Sequence, residues 1–207
     1  MLGSLNNQIQ NNIRNILHSQ CNRILVEAYK LAKSDPVFMN ELDEDVYTAV
    51  LVDRYMPKIP LKYNGYWFIV PQVPYYTEEH LDGVVSTSKA PRPDIRFEKY
   101  VLSNPESFKY TIEAKKIKSS SSKLKRRYLT TGIQNFLSGR YPDGCLAGYV
   151  IKCNSKDCIN GINKLMIKDN RDKEILINGE SIGGHEEVYH SYHENNILLK
   201  HIFLEFP

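Results

Sequence analysis

The chain has 207 residues, 42 % hydrophobic and 25 % charged, with a net charge of +3. That is room for one domain, or one domain with an added arm, around a good core. No apolar run approaches the roughly 18 residues that span a membrane, and MLGSLNNQIQNN lacks the basic and hydrophobic blocks of a secretion signal, so a cytoplasmic protein is expected.

Leu5, Ile9, Ile13, Ile16, Leu17, Ile24, Leu25 and Ala28 recur at helical spacing. They predict an amphipathic helix, or a pair, over residues 5–33, ended by Ser34-Asp35-Pro36. This helical arm (1–35) either packs on the core or meets a second copy or a partner in a larger complex. A second helix is expected from Asp43 to Tyr55, with Val46, Ala49, Val50 and Val52 as its apolar side. The acidic run Glu41 to Asp45 suits the positive end of its dipole. Tyr66 to Tyr76 reads as a strand, and Pro71 and Pro74 give it an edge position or an early end. Thr77 to Ala90 is a polar loop, either a solvated connection or an approach to DNA.

Pro91 to Ile117 organises the rest. Asp94 to Tyr100 and Lys109 to Ile117 carry strand-favouring residues on either side of a turn signal at Asn104-Pro105. A hairpin symmetric about that turn sets Asp94 opposite Glu113. Opposed side chains on one face have Cβ atoms about 4.5–5.5 Å apart. Glu113 and Lys115, two apart in a strand, share that face. Two carboxylates so close need a cation, and carboxylate oxygens are what a hard divalent ion takes.

From Lys116 onward the basic residues Lys116, Lys118, Lys123, Lys125, Arg126 and Arg127 surround four consecutive serines. The serines predict a flexible segment, and its cations suit either phosphate contact or a solvated surface. Tyr128 to Arg140 is expected to be a helix with Ile133, Phe136 and Leu137 turned inward and Gly139 near its end. CLAGYVIKC, Cys145 to Cys153, reads as a central strand. A helix follows over 155–170, then a loop or short hairpin to Gly184, the histidine-rich stretch from His185, and a last strand ILLKHIFLEF buried on both faces over part of its length. His185, His190, His193 and His201 are open to phosphate binding, metal ligation or packing. Cysteines 21, 145, 153 and 158 include no C-x-x-C and read as reduced thiols. A zinc site from Cys153, Cys158 and His190 or His193 matches no common spacing.

Pro93-Asp94 followed by Glu113-Ala114-Lys115 resembles the PD-(D/E)xK signature of the restriction-endonuclease-like nucleases, over about residues 40 to 151. The resemblance implies an α/β fold with a mixed central sheet flanked by helices, here over residues 36–207. It implies magnesium, which manganese can replace, held by Asp94, Glu113 and the Ala114 carbonyl, with Lys115 positioning or helping to deprotonate the attacking water. A helix glutamate completes the site in many members, and Glu44 is the choice here over Glu41 and Glu27. Gln134 and Tyr141 resemble the glutamine and tyrosine after the active-site lysine in the RecB-like branch, at a longer spacing, and of the two Gln134 is carried over as a site residue. The implied substrate is DNA, and the small size resembles restriction endonucleases and effector nucleases of bacterial antiviral systems. Two other readings stand beside this one: a nuclease-like fold that binds nucleic acid or protein without cutting, and a structural subunit assembling through the first helix.

Overall fold

The computed structural model describes residues 2–60, 67–72, 74, 82, 86, 90, 92–101 and 104–207, the side chains of 2–7, 100, 101, 104–107 and 195 excepted. Its helices are α1 (Leu2–Ala32), α2 (Glu44–Ala49), α3 (Ser122–Arg127), α4 (Gln134–Leu137) and α5 (Ser155–Lys168). The strands are β1 (Phe68–Pro71), β2 (Ile95–Val101), β3 (Asn104–Ile117), β4 (Gly144–Ile151), β5 (Ile177–Asn178), β6 (Val188–His193) and β7 (Ile197–Phe206). They form one seven-stranded sheet in the order β1-β2-β3-β4-β7-β6-β5. The pairs β3-β4 and β4-β7 are parallel and the remaining pairs antiparallel. The result is a mixed α/β protein with helices on both faces of a mostly antiparallel sheet.

Strand alternation divides the core between those faces. Cys145, Ala147, Tyr149 and Ile151 of β4 turn toward α1 and the helical segment beginning at α2, where Ile24, Leu25, Leu51 and Met56 are fully buried. Leu146 and Val150 turn the other way, against Tyr128, Ile133, Cys158 and Ile162. Gly148 stands where a Cβ would come within 2.6 Å of the Phe203 ring, so the bare backbone admits that ring from β7. Buried on both faces, β4 is the central strand that its apolar run implies.

Of the helical arm expected over 1–35, the part from Leu17 onward belongs to this core: Cys21, Ile24, Leu25, Val26, Ala28 and Ala32 are sealed from solvent. Ile9, Ile13 and Ile16 stay exposed. The second helix starts where expected, but its inward face is Tyr47, Thr48, Leu51, Val52 and Tyr55, while Val46 and Ala49 face out. Tyr47 stacks on Phe38, and the Thr48 hydroxyl meets that of Tyr149. These larger surfaces outweigh two small aliphatic side chains. β1 lies at the sheet edge and ends at Pro71, before Gln72 with φ 49°. Most of the loop from Thr77 to Ala90 lies outside the described residues.

The β2-β3 register has opposed pairs Ile95–Ile112, Arg96–Thr111 and Phe97–Tyr110, as symmetry about the expected turn requires. The turn itself falls earlier. Asn104 already pairs with Val101 inside β3, and the connecting residues 102–103 lie outside the described ones. Two further expectations change. The serine run is not a loose loop: Ser121 caps α3, accepting from the Leu124 N–H at 3.3 Å, and the helix continues through Tyr128–Ile133 as wide π turns into α4. The histidine-rich stretch contains β6, whose alternation of Tyr189, Ser191 and His193 on one buried face is hidden by polar side chains.

Candidate active site

Asp94 precedes β2 directly after the buried Pro93, and its Oδ2 accepts the Ala114 N–H at 2.6 Å. That bond fixes the carboxylate across the hairpin beside Glu113. Glu113 and Lys115 project from β3 toward the π turns between α3 and α4. Gly132 sits in those turns, and a Cβ there would be 3.3 Å from Lys115 Cγ, so the helix lies directly over the lysine stem. Glu44 arrives from the first turn of α2, its Oε2 accepting the Lys116 N–H at 2.6 Å.

Three carboxylates and one backbone carbonyl converge on one atom. Lys115 Nζ lies 2.7 Å from Glu113 Oε1, 3.3 Å from Glu44 Oε1 and 3.6 Å from Asp94 Oδ2. It also donates to the Ala114 carbonyl at 2.5 Å. The side chains are 12 % exposed or less. Three carboxylates thus face one ammonium in a poorly solvated place, with Arg127 adding a contact to Glu44 at 2.8 Å. Burial works against the charge of Lys115, yet Asp94, Glu113 and Glu44 together hold it above its ordinary value. Burial pushes the Asp94 carboxyl up to about 7; Lys115 and the Ala114 N–H oppose this, while Glu113 and Glu44 add to it. An excess of negative charge held away from water is a common signature of functional sites.

Two residues bracket Glu113: Asn135, which the sequence did not single out, and Tyr141, which it did through the RecB-like resemblance. Asn135 on α4 donates from Nδ2 to Glu113 Oε1 at 3.1 Å. Tyr141, nearly buried, lies beside Glu113, and its phenol is pushed up by burial and then by that carboxylate's charge. Gln134, the amide chosen from the sequence, is exposed. The amide at the site is therefore the next residue. The continuous turn from α3 through the π segment sets which side of α4 meets the sheet, and residue spacing alone did not reveal it.

Of the three glutamates weighed for the helix position, only Glu44 reaches the cluster. Glu27 pairs with Arg23 and Lys30 on α1, and Glu41 binds Lys116 and Lys118 at the surface. Those lysines are thus already engaged by an acid. Arg126 pairs with Asp169 and Arg127 with Glu44, and Lys123 is exposed. Lys125 corrects the surface expectation most clearly. It is buried, its Nζ bonded to the Ser119 carbonyl and its stem packed on Gly161, where a Cβ would come within 2.7 Å.

The implied metal is magnesium, and the donor chemistry suits it: three carboxylates and a backbone carbonyl are hard oxygen ligands. Among the described residues no group of three His, Cys, Asp or Glu side chains is arranged to hold a metal ion, and the three carboxylates face the lysine ammonium. The cysteine–histidine grouping does not form. Cys153 and Cys158 approach to 3.5 Å, whereas His193 binds Ser191 and Glu174.

Fold and site define a mixed α/β protein with a buried acid–lysine cluster on a hairpin. Comparison with family models, curated proteins and solved structures finds no match to this chain. Among the described residues no helix is long and apolar enough to cross a membrane.

Proposed function

We propose that this chain is a magnesium-dependent nuclease that hydrolyses phosphodiester bonds in DNA. The observation that carries the reading is the convergence of Glu44, Asp94, Glu113 and the Ala114 carbonyl on Lys115 Nζ. The element order supports it as well: a helix at α2, three antiparallel strands, a helical segment from α3 to α4, then β4 parallel to β3. That is the succession the PD-(D/E)xK resemblance leads one to expect. A role in restriction or antiviral defence belongs to the same proposal and rests on the resemblance alone.

Asp94 and Glu113, with the Ala114 carbonyl and Glu44, would hold the magnesium, which supplies Lewis-acid stabilisation of phosphate charge and lowers the pKa of a bound water. Ala114 holds Asp94 in place through its N–H, and Asn135 does the same for Glu113. Lys115, on a flexible four-carbon stem, can swing from between the carboxylates. Its ammonium then orients the attacking water and steadies the developing negative charge. Gly132 and the π turns exclude bulk water from the lysine's other side, which strengthens each of these interactions.

A second reading has its own observation. Lys115 already fills the space between the carboxylates, and most of the nearby basic residues are paired with acids. A nuclease-like fold that binds without cutting would show the same closure. Supercoiled plasmid separates the two. Wild-type protein should nick or linearise it with magnesium or manganese and be silent in EDTA. Asp94→Ala, Glu113→Ala and Lys115→Ala should each abolish cutting while staying folded. Full activity in Glu113→Ala would remove the mechanism, and a wild-type protein that binds DNA without cutting would favour the second reading.

A further inference from the structure

The sheet face beneath α1 is apolar over most of its length, but not at its end. Along β7, Phe206, Leu204 and Ile202 are buried in the core, and the next residue on that face is Lys200. His190 stands directly opposite it on β6. Over this pair lies a cavity of about 520 Å³, closed by α1 on one side and by the segment from Phe136 to Gly144 on another. Asn22 of α1 lines it and is 1 % exposed. Its Oδ1 accepts the Tyr110 hydroxyl at 2.9 Å, which leaves Nδ2 a buried donor without an acceptor.

The charge in the lining is unbalanced. Among the described residues Asp143 is the single acid there, and it is engaged by Arg14 and lies 3.5 Å from His18. Among the described residues of this lining, Lys200 and His190 therefore have no carboxylate paired with them. Glu180, whose charge reaches His190, lines the neighbouring cavity that Lys200 also borders and is itself exposed. A lysine opposed to a histidine on an inward sheet face, beneath an orphan amide, is a poor core and a good anion site. The volume suits a small ligand rather than a few waters.

We propose that this cavity binds a nucleoside monophosphate, with its phosphate against Lys200 and His190 and an acceptor on its base at Asn22 Nδ2. Tyr110 and Tyr141 supply aromatic surface for the ring system. Tyr141 also lies beside Glu113, so one side chain borders both the cavity and the acid cluster. The proposal stands on the cavity and does not depend on phosphodiester cutting.

Calorimetric titration of the full chain with nucleoside monophosphates, the matching nucleosides, ribose 5-phosphate and inorganic phosphate tests it. At least one nucleoside monophosphate should bind more tightly than its nucleoside, its sugar phosphate or phosphate alone. Lys200→Gln should weaken that binding at least about tenfold, the loss expected when a charge-assisted contact goes. Asn22→Asp keeps the acceptor for Tyr110, removes the donor and sets a negative charge toward the ligand, so it should abolish binding. If Asn22→Asp fails to fold, Lys200→Gln decides alone. Equal affinity for phosphate and nucleotide would overturn the base contact. No binding by any member of the panel, or unchanged binding in Lys200→Gln, would overturn the site.

Discussion

At the scale of single residues, Asp94 is the group whose titration reports on the site. Its folded value, about 7, lies above the ordinary carboxylate range. A carboxyl raised on folding favours the native state at low pH, and that contribution is lost as pH rises through the folded value. In metal-free protein the stability attributable to Asp94 should therefore fall between about pH 4 and pH 7. Asp94→Asn removes this loss and can still accept the Ala114 N–H. It should be more stable than wild type at pH 8 by on the order of 1–3 kcal/mol, with the gap narrowing at pH 5. Thermal melts in EDTA at both pH values measure this; a gap independent of pH would show that Asp94 is not held uncharged. Magnesium should reverse the trend in wild type, since it requires the ionised carboxyl. The second residue-scale prediction contrasts neighbours. Asn135→Ala should slow cutting roughly 10- to 100-fold, the value of one hydrogen bond to a charged group. Gln134→Ala should leave it unchanged, and the reverse ranking would restore the amide chosen from sequence.

At the scale of elements, the strands that carry the acid–lysine cluster were legible because period-two patterning and a symmetric hairpin fix which residues oppose each other. Asp94, Glu113 and Lys115 follow from that, Glu44 came from the helix glutamate that the resemblance implies, and all four meet in the fold. Asn135 was not legible. Its approach depends on π turns that shift α4 relative to a regular helix, and local spacing does not encode them. The serine run misled in another way, since Ser121 acts as a helix cap rather than as a flexible spacer. β6 was obscured because its buried polar residues serve one another. The Ser191 hydroxyl bridges His193 Nε2 at 2.6 Å and His201 Nε2 at 2.7 Å, and Tyr128 meets His201 Nδ1 at 2.9 Å. Burial lowers His201 to about 3, so it stays neutral in the fold while it charges in the unfolded chain. Stability should then drop as pH falls from about 6.5 toward 3. Ser191→Ala leaves both imidazoles short of a partner and should cost about 2–4 kcal/mol in urea unfolding. A loss under 0.5 kcal/mol, the range of neutral surface changes, would show that the bridge is not needed.

At the scale of the whole molecule, the sheet sets α2 and the α3-to-α4 segment on opposite sides of the hairpin's acidic end. Each contributes what the hairpin lacks. Glu44 comes from one side, and Asn135 with the cover over Lys115 from the other. The molecule tolerates three carboxylates around one ammonium because an apolar core on each face of the sheet fixes these elements in place. Such a charge-deficient cluster is costly to stability, and the cost is understandable if a cation completes it. The most direct measurement is a magnesium titration by calorimetry at pH 8 of wild type, Glu113→Gln, Glu44→Gln and Glu41→Gln. Wild type should bind magnesium at a site that Glu113→Gln eliminates and Glu44→Gln weakens, with Glu41→Gln unchanged. Magnesium binding that survives Glu113→Gln and Glu44→Gln alike, or no binding by the wild-type chain, would contradict the cluster's role as a cation site.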